Sequence, residues 1–338
     1  MLLTSYEKVS VVITAHDRRE FLLEAVRSVL SQDTEKENFE IIVVKNYYDK
    51  AIDEFLKING VRSFYTDERS FGAKLALGIE NSSQGIISFL DDDDVFTRDR
   101  LSRIREIFED RSIVYHHSSV IAIDSKGNHY ESGLSKNIGE SVILDWGNLA
   151  ANCRRIMKYK GDWYVSAISV RKSCISNHID IIRNIDTSLD RAFFLIAAAC
   201  KGKIFLDSEK ITLYRVHPST TTMVMDATTF LQKRSDFYLR SGETLATLEK
   251  NLGKEIPSNL MKIILLHSNL LTYFFSNDSR HKLTLAQLTK AFWIGISKGI
   301  GAITFWAMAD ILRKVLPSVT RRIYYRRTMQ QFSLFGVE

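Results

Sequence analysis

The chain has 338 residues, of which 45% are hydrophobic and 25% are charged, as expected for a folded chain of one large domain or two unequal ones. Its net charge of +6 is unevenly placed, because residues 281–338 hold nine Lys or Arg residues and two acidic ones. A basic C-terminal end indicates an anionic partner. A membrane surface is favoured over nucleic acid, which is not expected here since no nucleic-acid recognition motif accompanies the charge.

Cysteine usage and the N-terminal residues both indicate a cytoplasmic protein. Cys153, Cys174 and Cys200 are isolated and lack the paired spacing of a metal or redox motif. Glu7 follows Met1–Leu3 too closely for the apolar region of a signal peptide. We therefore expect reduced thiols and no export.

Apolar, β-branched runs alternate with helical patterns over the first ninety or so residues. Four strands are predicted, at Val9–Thr14, Phe39–Val44, Val61–Tyr65 and Ile86–Leu90. Three intervening helices are predicted, at Phe21–Leu30, Tyr48–Ile58 and Gly72–Ile79. This alternation predicts an α/β fold with a parallel, doubly wound sheet, in which ligands bind at the carboxyl ends of the strands.

Four adjacent carboxylates, Asp91–Asp94, directly follow the fourth strand. Carboxylates this close raise each other's pKa, so keeping them ionised at the end of a buried strand requires a hard cation such as Mg²⁺ or Mn²⁺. From the run alone, an acidic turn that caps the next helix is the alternative. Thr14, Ala15 and His16 follow the first strand, and we expect them at the same crevice.

An ordered series of motifs resembles the family 2 glycosyltransferases of the GT-A fold. The series comprises Val11–Arg19, Leu22, Ala25, Ser28–Leu30, Gln32, Glu40–Val44, Gly78 and Phe89–Asp94. The last of these resembles the DxD metal motif in its extended form, and the likeness covers roughly residues 8–222. It implies a Rossmann-like, mainly parallel sheet flanked by helices over 1–222, followed by an all-helical region over 223–338.

The resemblance implies a metal-dependent inverting glycosyltransferase that uses a nucleotide-sugar donor and Mg²⁺ or Mn²⁺. Asp93 is implied as the direct metal ligand, with Asp91 nearer the ribose and a metal-bound water and with Asp94 in support. Asp92 falls at a variable position and is expected to be dispensable. A UDP-sugar is the favoured donor, a GDP-sugar is the alternative, and the acceptor is a glycan or a lipid-linked molecule.

The same resemblance implies which residues bind the donor. They are Thr14, Ala15, His16, Arg18, Asn46, Lys74, Asp91 and Arg215. His217, in the Arg-x-His segment after the last core strand, is implied as a metal ligand or diphosphate contact. The hydroxyl-rich residues 219–222 that follow could close over the donor.

Asp190 is the candidate general base, because it resembles the family's Asp at the start of a helix before a small Gly-containing turn. A local alternative is that Ser188 caps this helix and that Asp190 only favours its first turn. The family usually has Glu before this Asp, where this chain has Leu189. Asp186, one turn earlier, is therefore a rival base.

Two departures from the family pattern leave the donor open, and the first is that Leu75–Ala76 stands where the family often has an Arg-Asn pair shortly before its Gly. The family commonly has an acidic residue that reads the nucleobase after its second strand, whereas this chain has Lys45 and Asn46. Asn46 could still pair with a uracil edge, and Tyr47 could stack on the base. Together with Leu189, these departures keep a non-catalytic nucleotide-sugar or glycan-binding protein as the alternative function.

Between residues 95 and 186 the chain is expected to build the acceptor side, where Trp163 or Tyr164 could stack on a sugar or belong to the core. Long helical runs follow, at Thr229–Leu252, Leu260–Phe275 and Leu285–Leu316. None has an uncharged stretch of the ~20 residues that a membrane crossing needs.

The last of these runs carries apolar and aromatic residues followed by a basic cluster. They are Phe292, Trp293, Ile296, Ile300, Ile303, Phe305 and Trp306, then Arg313, Lys314, Arg321, Arg322, Arg326 and Arg327. This pattern predicts an interfacial helix with a basic anchor on anionic lipid at the inner face of the cell membrane. The alternative is an amphipathic helix packed on the catalytic domain or in a homodimer.

Overall fold

The computed structural model describes residues 7–129, 138–217, 227–276, 281–316 and 319–326. The strands are β1 (Val9–Ala15), β2 (Phe39–Lys45), β3 (Arg62–Tyr65), β4 (Ile86–Asp91), β5 (Val95–Phe96), β6 (Ile113–Ile123), β7 (Val142–Leu144), β8 (Ile168–Arg171) and β9 (Lys203–Arg215). The first eight helices are α1 (Leu22–Leu30), α2 (Lys50–Ile58), α3 (Phe71–Asn81), α4 (Arg100–Ile107), α5 (Cys153–Lys158), α6 (Lys172–Ser176), α7 (Ile179–Arg183) and α8 (Leu189–Ala199). The C-terminal helices are α9 (Ala227–Leu252), α10 (Ser258–Phe275), α11 (Leu285–Ser297) and α12 (Gly301–Val315).

The described strands form one sheet in the order β3-β2-β1-β4-β8-β6-β9-β5, with β7 paired to β9. The first four of these strands are parallel to one another, which confirms the parallel arrangement predicted for them. In the register of this half, Thr14 of β1 lies opposite Val44 of β2 and Asp91 of β4. The ends of three strands are therefore level at one edge, and the residues that follow them meet there.

The second half of the sheet is mixed. β8 pairs antiparallel with both β4 and β6, whereas β6 and β9 are parallel. β9 ends at Arg215, and its antiparallel partner β5 begins just after the acidic run. The long strand β9 thereby brings the Arg215–His217 segment to the same edge as the end of β4.

Helix α3 packs unusually close to its neighbours because two of its residues lack side chains. A Cβ on Gly78 would lie 2.4 Å from Cγ1 of Val12, and one on Gly72 would lie 2.1 Å from the carbonyl oxygens of Ile182 and Ile185. Ser70 begins the helix by accepting a hydrogen bond from the amide of Ala73. This close packing fixes α3 beneath the ends of β1 and β2.

The C-terminal helices share a hydrophobic core with the first half of the chain, as Leu245, Leu260 and Ile303 belong to the same buried cluster as Phe89 and Phe193. The predicted division at 222/223 lies outside the described residues. Among those residues, no helix combines the length and the apolar character needed to cross a membrane.

The prediction of one long helix over Leu285–Leu316 was wrong. The run divides into α11 and α12 at residues 298–300, where Gly299 has a φ of +62°. Glycine adopts this left-handed conformation readily, so the chain can reverse there. The absent side chain of Gly295 then lets Thr304 approach, since a Cβ on Gly295 would lie 2.6 Å from the Thr304 nitrogen.

Candidate active site

The acidic run forms a compact cluster at the end of β4. Carboxylate oxygens of Asp91, Asp93 and Asp94 lie within 4.8 Å of one another. The amide of Asp94 donates to the carbonyl of Asp91 at 3.2 Å, so the chain turns back and gathers the side chains. Three carboxylates at this separation form a site of the oxygen-rich kind that hard divalent cations prefer.

The electrostatics of this cluster fit a cation. Burial, and next the charge of Asp94, raise the pKa of Asp91 well above its usual value. Burial, and next the charge of Asp93, do the same for Asp94. Two carboxylates that resist ionisation beside one another need a positive charge to stay ionised near neutral pH, and a bound Mg²⁺ or Mn²⁺ would supply it.

Arg18 and His217 neutralise the middle of the run. The Arg18 guanidinium pairs with Asp92 and lies 2.7 Å from the Asp93 carboxylate, which also lies 2.9 Å from Nε2 of His217. Burial opposes the ionisation of Asp93, but the hydrogen bond from His217 and the Arg18 charge outweigh it and lower the pKa of Asp93. Asp93 is thus the carboxylate of the run that is held as an anion by the chain itself.

Asp92 is buried rather than solvated, with 5% of its surface exposed. Burial raises its pKa to about 6 even though Arg18 pairs with it. The sequence analysis treated Asp92 as dispensable and missed this contact. Its pairing with Arg18, 74 residues away, has no local signal in the sequence.

Arg215 contacts the acidic run through both its backbone amide and its guanidinium. Its amide donates to Asp94 at 2.8 Å, and its guanidinium donates to the carbonyl of Asp93 at 2.7 Å and pairs with Glu24. The side chain is 1% exposed. The expectation that Arg215 offsets phosphate charge therefore does not fit this arrangement, in which Arg18 is the arginine that faces the crevice.

The end of β1 supplies the next part of the crevice. Thr14 and Ala15 are buried, and the Thr14 hydroxyl has no hydrogen-bond partner among the described residues. His16 is exposed, and its Nδ1 lies 3.0 Å from the buried Nζ of Lys74. Burial is the main cause of the lowered pKa of Lys74, which also lies near Asp186. His16 and Lys74 are therefore in contact at the end of β1.

The end of β2 differs from the sequence-based interpretation. Asn46 and Asp17 bind each other twice, since the Asp17 amide donates to the Asn46 carbonyl oxygen and the Asn46 amide donates to the Asp17 carboxylate. The ring of Tyr47 is buried beneath Arg19, so Tyr47 cannot stack on a base. Tyr48 is 70% exposed and stacks on Tyr65 with ring centres 4.2 Å apart.

An open cleft of about 520 Å³ lies beside this aromatic pair. It is lined by Lys45, Tyr48, Asp53, Lys57, Gly60, Val61, Ser63 and Tyr65. The amine of Lys45 donates to the Tyr47 carbonyl at 2.6 Å and pairs with Asp53 at 2.8 Å. The cleft holds none of the carboxylates of the acidic run.

Asp190 lies in the first turn of α8, where the sequence places the base. Its carboxylate accepts a hydrogen bond from the Arg191 amide at 2.8 Å, while the Arg191 guanidinium pairs with buried Asp162 at 2.7 Å. Burial raises the pKa of Asp190 to about 6, and the nearby Arg191 charge only moderates this effect. Ser188 makes no side-chain cap and adopts a left-handed φ of 60°, whereas the rival Asp186 is exposed.

Tyr164 and Tyr214 connect Asp190 to the acidic run. Their rings lie 4.8 Å apart. Burial raises the pKa of Tyr164, and the charges of Asp190 and Asp94 add to the effect. Burial likewise raises the pKa of Tyr214, next to the charge of Asp94. Asp190 and Asp94 therefore both lie near Tyr164, which packs against Tyr214.

Solved structures with a similar fold define the fold class. The structure of S. aureus TarS 1-349 in complex with UDP-GlcNAc matches with a TM-score of 0.55 and 12% identity, over 89% of this chain and 91% of that one. A mannosyltransferase from Pyrobaculum calidifontis in complex with GDP-Man and Mn²⁺ matches with a TM-score of 0.57 and 11% identity, over 99% and 89%. The fold is the GT-A glycosyltransferase fold.

Sequence comparison finds similarity over part of the chain. Residues 10–159 match the model of Glycosyl transferase family 2. An uncharacterized glycosyltransferase of Rickettsia bellii is 32% identical over 140 residues, which are 40% of this chain and 20% of that protein. One of Nostoc sp. is 27% identical over 152 residues, 42% of this chain and 47% of that protein. This chain thus spans about a fifth of the length of the Rickettsia bellii protein and about half of the length of the Nostoc protein.

Proposed function

We propose that the chain is a metal-dependent inverting glycosyltransferase that moves a sugar from a nucleotide-sugar to a glycan or a lipid-linked acceptor. One observation carries the proposal: a cluster of three carboxylates at the end of a parallel strand and a separate, half-buried Asp190 both lie near Tyr164. The first group suits a diphosphate with its cation, and the second suits a general base.

Asp91 and Asp94 would hold the ion, together with Asp93. A divalent ion bound there would stabilise the negative charge that develops on the leaving diphosphate. Asp93 is kept ionised by Arg18 and His217 before any ion arrives. The same Arg18 and the buried Lys74 provide positive charge at the crevice for the donor phosphates.

Asp190 would take the acceptor proton. The acceptor hydroxyl oxygen forms a bond to the anomeric carbon on the face opposite the diphosphate, and the bond to the diphosphate breaks with its electron pair. The hydroxyl proton passes to the Asp190 carboxylate. A pKa of about 6 suits this role, because the group is ionised at neutral pH and still basic enough to accept a proton.

The neighbourhood of Asp190 supports an acceptor sugar. Trp163 and Tyr164 are both half-buried, with ring centres 6.4 Å apart, and Tyr164 lies beside Asp190. An aromatic face with one accessible side is a common platform for a sugar ring. The donor base remains a choice between uridine and guanosine, as the two structural neighbours are complexes with UDP-GlcNAc and GDP-Man.

The first test is calorimetric titration of UDP and of GDP, each with and without Mn²⁺, into the wild type and Asp93→Ala. We expect one nucleotide to bind in a Mn²⁺-dependent way and Asp93→Ala to weaken that binding by at least about tenfold. Asp33→Ala is the matched control, because Asp33 is exposed and lies outside the crevice. Binding that ignores Mn²⁺, or that survives in Asp93→Ala, would remove the acidic run from the donor site.

A further inference from the structure

The outward face of α12 is apolar. Phe305, Met308, Leu312 and Val315 follow one another at helical spacing, with 43%, 45%, 49% and 73% of their surfaces exposed. The inward face carries Ile303, Ala307 and Asp310, each 0% exposed. A helix on the surface of a globular protein normally has polar and charged residues on its outward face, so the apolar outward face of α12 is unusual.

Further exposed apolar side chains lie on the segments that neighbour α12 in the sequence. Ten of the fourteen large hydrophobic side chains that are exposed among the described residues lie between 285 and 323, so they are concentrated rather than scattered. We call the apolar surface the set Trp293, Ile296, Phe305, Met308, Leu312, Val315, Val319 and Ile323. Gly295 and Thr304 touch where α11 and α12 cross, and Ile296 and Phe305 flank that contact.

The exposed charges on the segments that carry the apolar surface have a single sign among the described residues. Exposed basic residues lie on the same segments: Lys290, Lys298, Lys314, Arg322 and Arg326. Between residues 281 and 326 the sequence has eight Lys or Arg residues, and its one acidic residue is the buried Asp310. No carboxylate of this segment is therefore exposed to offset them.

The sequence-based pattern requires one correction here. Ile300 and Ile303 were grouped with the membrane-facing residues, but they are 2% and 0% exposed and belong to the core. Trp306 is half-buried and its ring packs 5.1 Å from that of Phe274. Of the predicted residues, the apolar surface thus keeps Trp293, Ile296 and Phe305. It also includes Met308, Leu312, Val315, Val319 and Ile323.

We propose that the apolar surface docks this chain on a membrane that contains anionic lipid. The apolar side chains enter the boundary between headgroups and acyl chains, and the exposed Lys and Arg residues contact the anionic headgroups. Trp293, at 61% exposure, is the type of side chain enriched at such an interface. A second copy of the chain fits less well, because pairing two such surfaces would bring like charges together.

The test is co-sedimentation of the full chain with vesicles of phosphatidylcholine alone or mixed with phosphatidylglycerol. We expect binding to the mixed vesicles that weakens as salt is added. The double variant Phe305→Ser/Leu312→Ser should bind at least about tenfold more weakly, because two exposed apolar side chains are lost. Arg322→Gln/Arg326→Gln should weaken binding to the mixed vesicles by about thirtyfold and reduce the salt dependence.

Matched controls come from residues 36–111, outside the segments that carry the apolar surface. Ile58→Ser removes an apolar side chain that is 75% exposed on α2, and Lys36→Gln/Arg111→Gln removes two exposed charges. Neither should change vesicle binding. Equal binding by all variants, or no binding to either vesicle, would overturn the proposal. A dimer in light scattering that Phe305→Ser/Leu312→Ser converts to a monomer, without vesicle binding, would assign the surface to self-association. Both outcomes leave the nucleotide titration unaffected.

Discussion

The acidic crevice and the C-terminal helices depart in opposite ways from the usual pattern, in which apolar side chains are buried and charged ones are exposed. The crevice keeps Asp92 and Asp94 buried, where charge is costly, and the C-terminal helices expose Leu312 and Val315, where apolar surface is costly. Each region is incomplete by itself. The comparison indicates that each was shaped for something outside the chain, which we propose to be a cation with a diphosphate in one region and a lipid surface in the other.

The two regions also differ in how the chain compensates. In the crevice, Arg18, His217 and Arg215 reach the acidic run from distant parts of the sequence and offset part of its charge. On the C-terminal helices, the exposed Leu312 and Val315 are left uncovered. The geometry of the proposed cation site is therefore set by side chains of the same protein. A docking surface needs only exposed apolar side chains and charge.

Replacing the proposed base should give the largest effect. Asp190→Asn keeps the shape of the side chain but cannot take a proton, so we expect the transfer rate to fall by about 10²–10⁴-fold with donor binding unchanged. Single-turnover transfer and nucleotide titration of the same variant measure the two quantities. Asp186→Asn is the matched control, and loss of transfer in that variant alone would move the base to Asp186.

The pH dependence of the same group sharpens this test. Because burial raises the pKa of Asp190 to about 6, the ionised base is lost as the pH falls through 6. We expect kcat/KM to fall about tenfold for each pH unit below that value and to level off above it. The range from pH 5 to 7 covers about one unit on either side of this pKa. A kcat/KM profile that does not change over this range would show that Asp190 does not limit the reaction.

Alanine substitutions on the two faces of α12 should change the free energy of unfolding by different amounts. Ile303→Ala removes buried side-chain volume and should lower the free energy of unfolding by about 2–5 kcal/mol. Leu312→Ala, on the exposed face of the same helix, should change it by less than about 0.5 kcal/mol. Chemical denaturation compares them, and a large loss in Leu312→Ala would mean that the chain itself covers this face.

The smallest expected effect concerns the buried carboxyl of α12. Burial raises the pKa of Asp310 to about 8, and neither of its oxygens has a hydrogen-bond partner among the described residues. Its protonated form is favoured in the fold, so this contribution to stability is complete below the unfolded pKa near 4 and is lost as the pH rises through 8. Asp310→Asn should therefore raise the melting temperature by a few degrees at pH 9 and much less at pH 4.

Local patterns predicted the ends of strands β1–β4 and of helices α1–α3 to within two residues. Apolar periodicity and β-branched runs determine such elements directly. The DxD-like run and the start of α8 were also located from local sequence. The break at Gly299 was missed, because glycine within an apolar helical pattern is compatible with either a continuous helix or a turn.

The sequence by itself determined the alternating α/β order, the acidic run after β4 and the apolar and basic composition of the C-terminal end. Only the tertiary structure decided that Arg18 pairs with Asp92, that Tyr47 is buried while Tyr48 is exposed, and that Ile303 lies inward while Phe305 lies outward. The physical reason is that periodicity reports one element at a time. Which face is covered, and which charge is paired, depends on segments that meet only after the chain has folded.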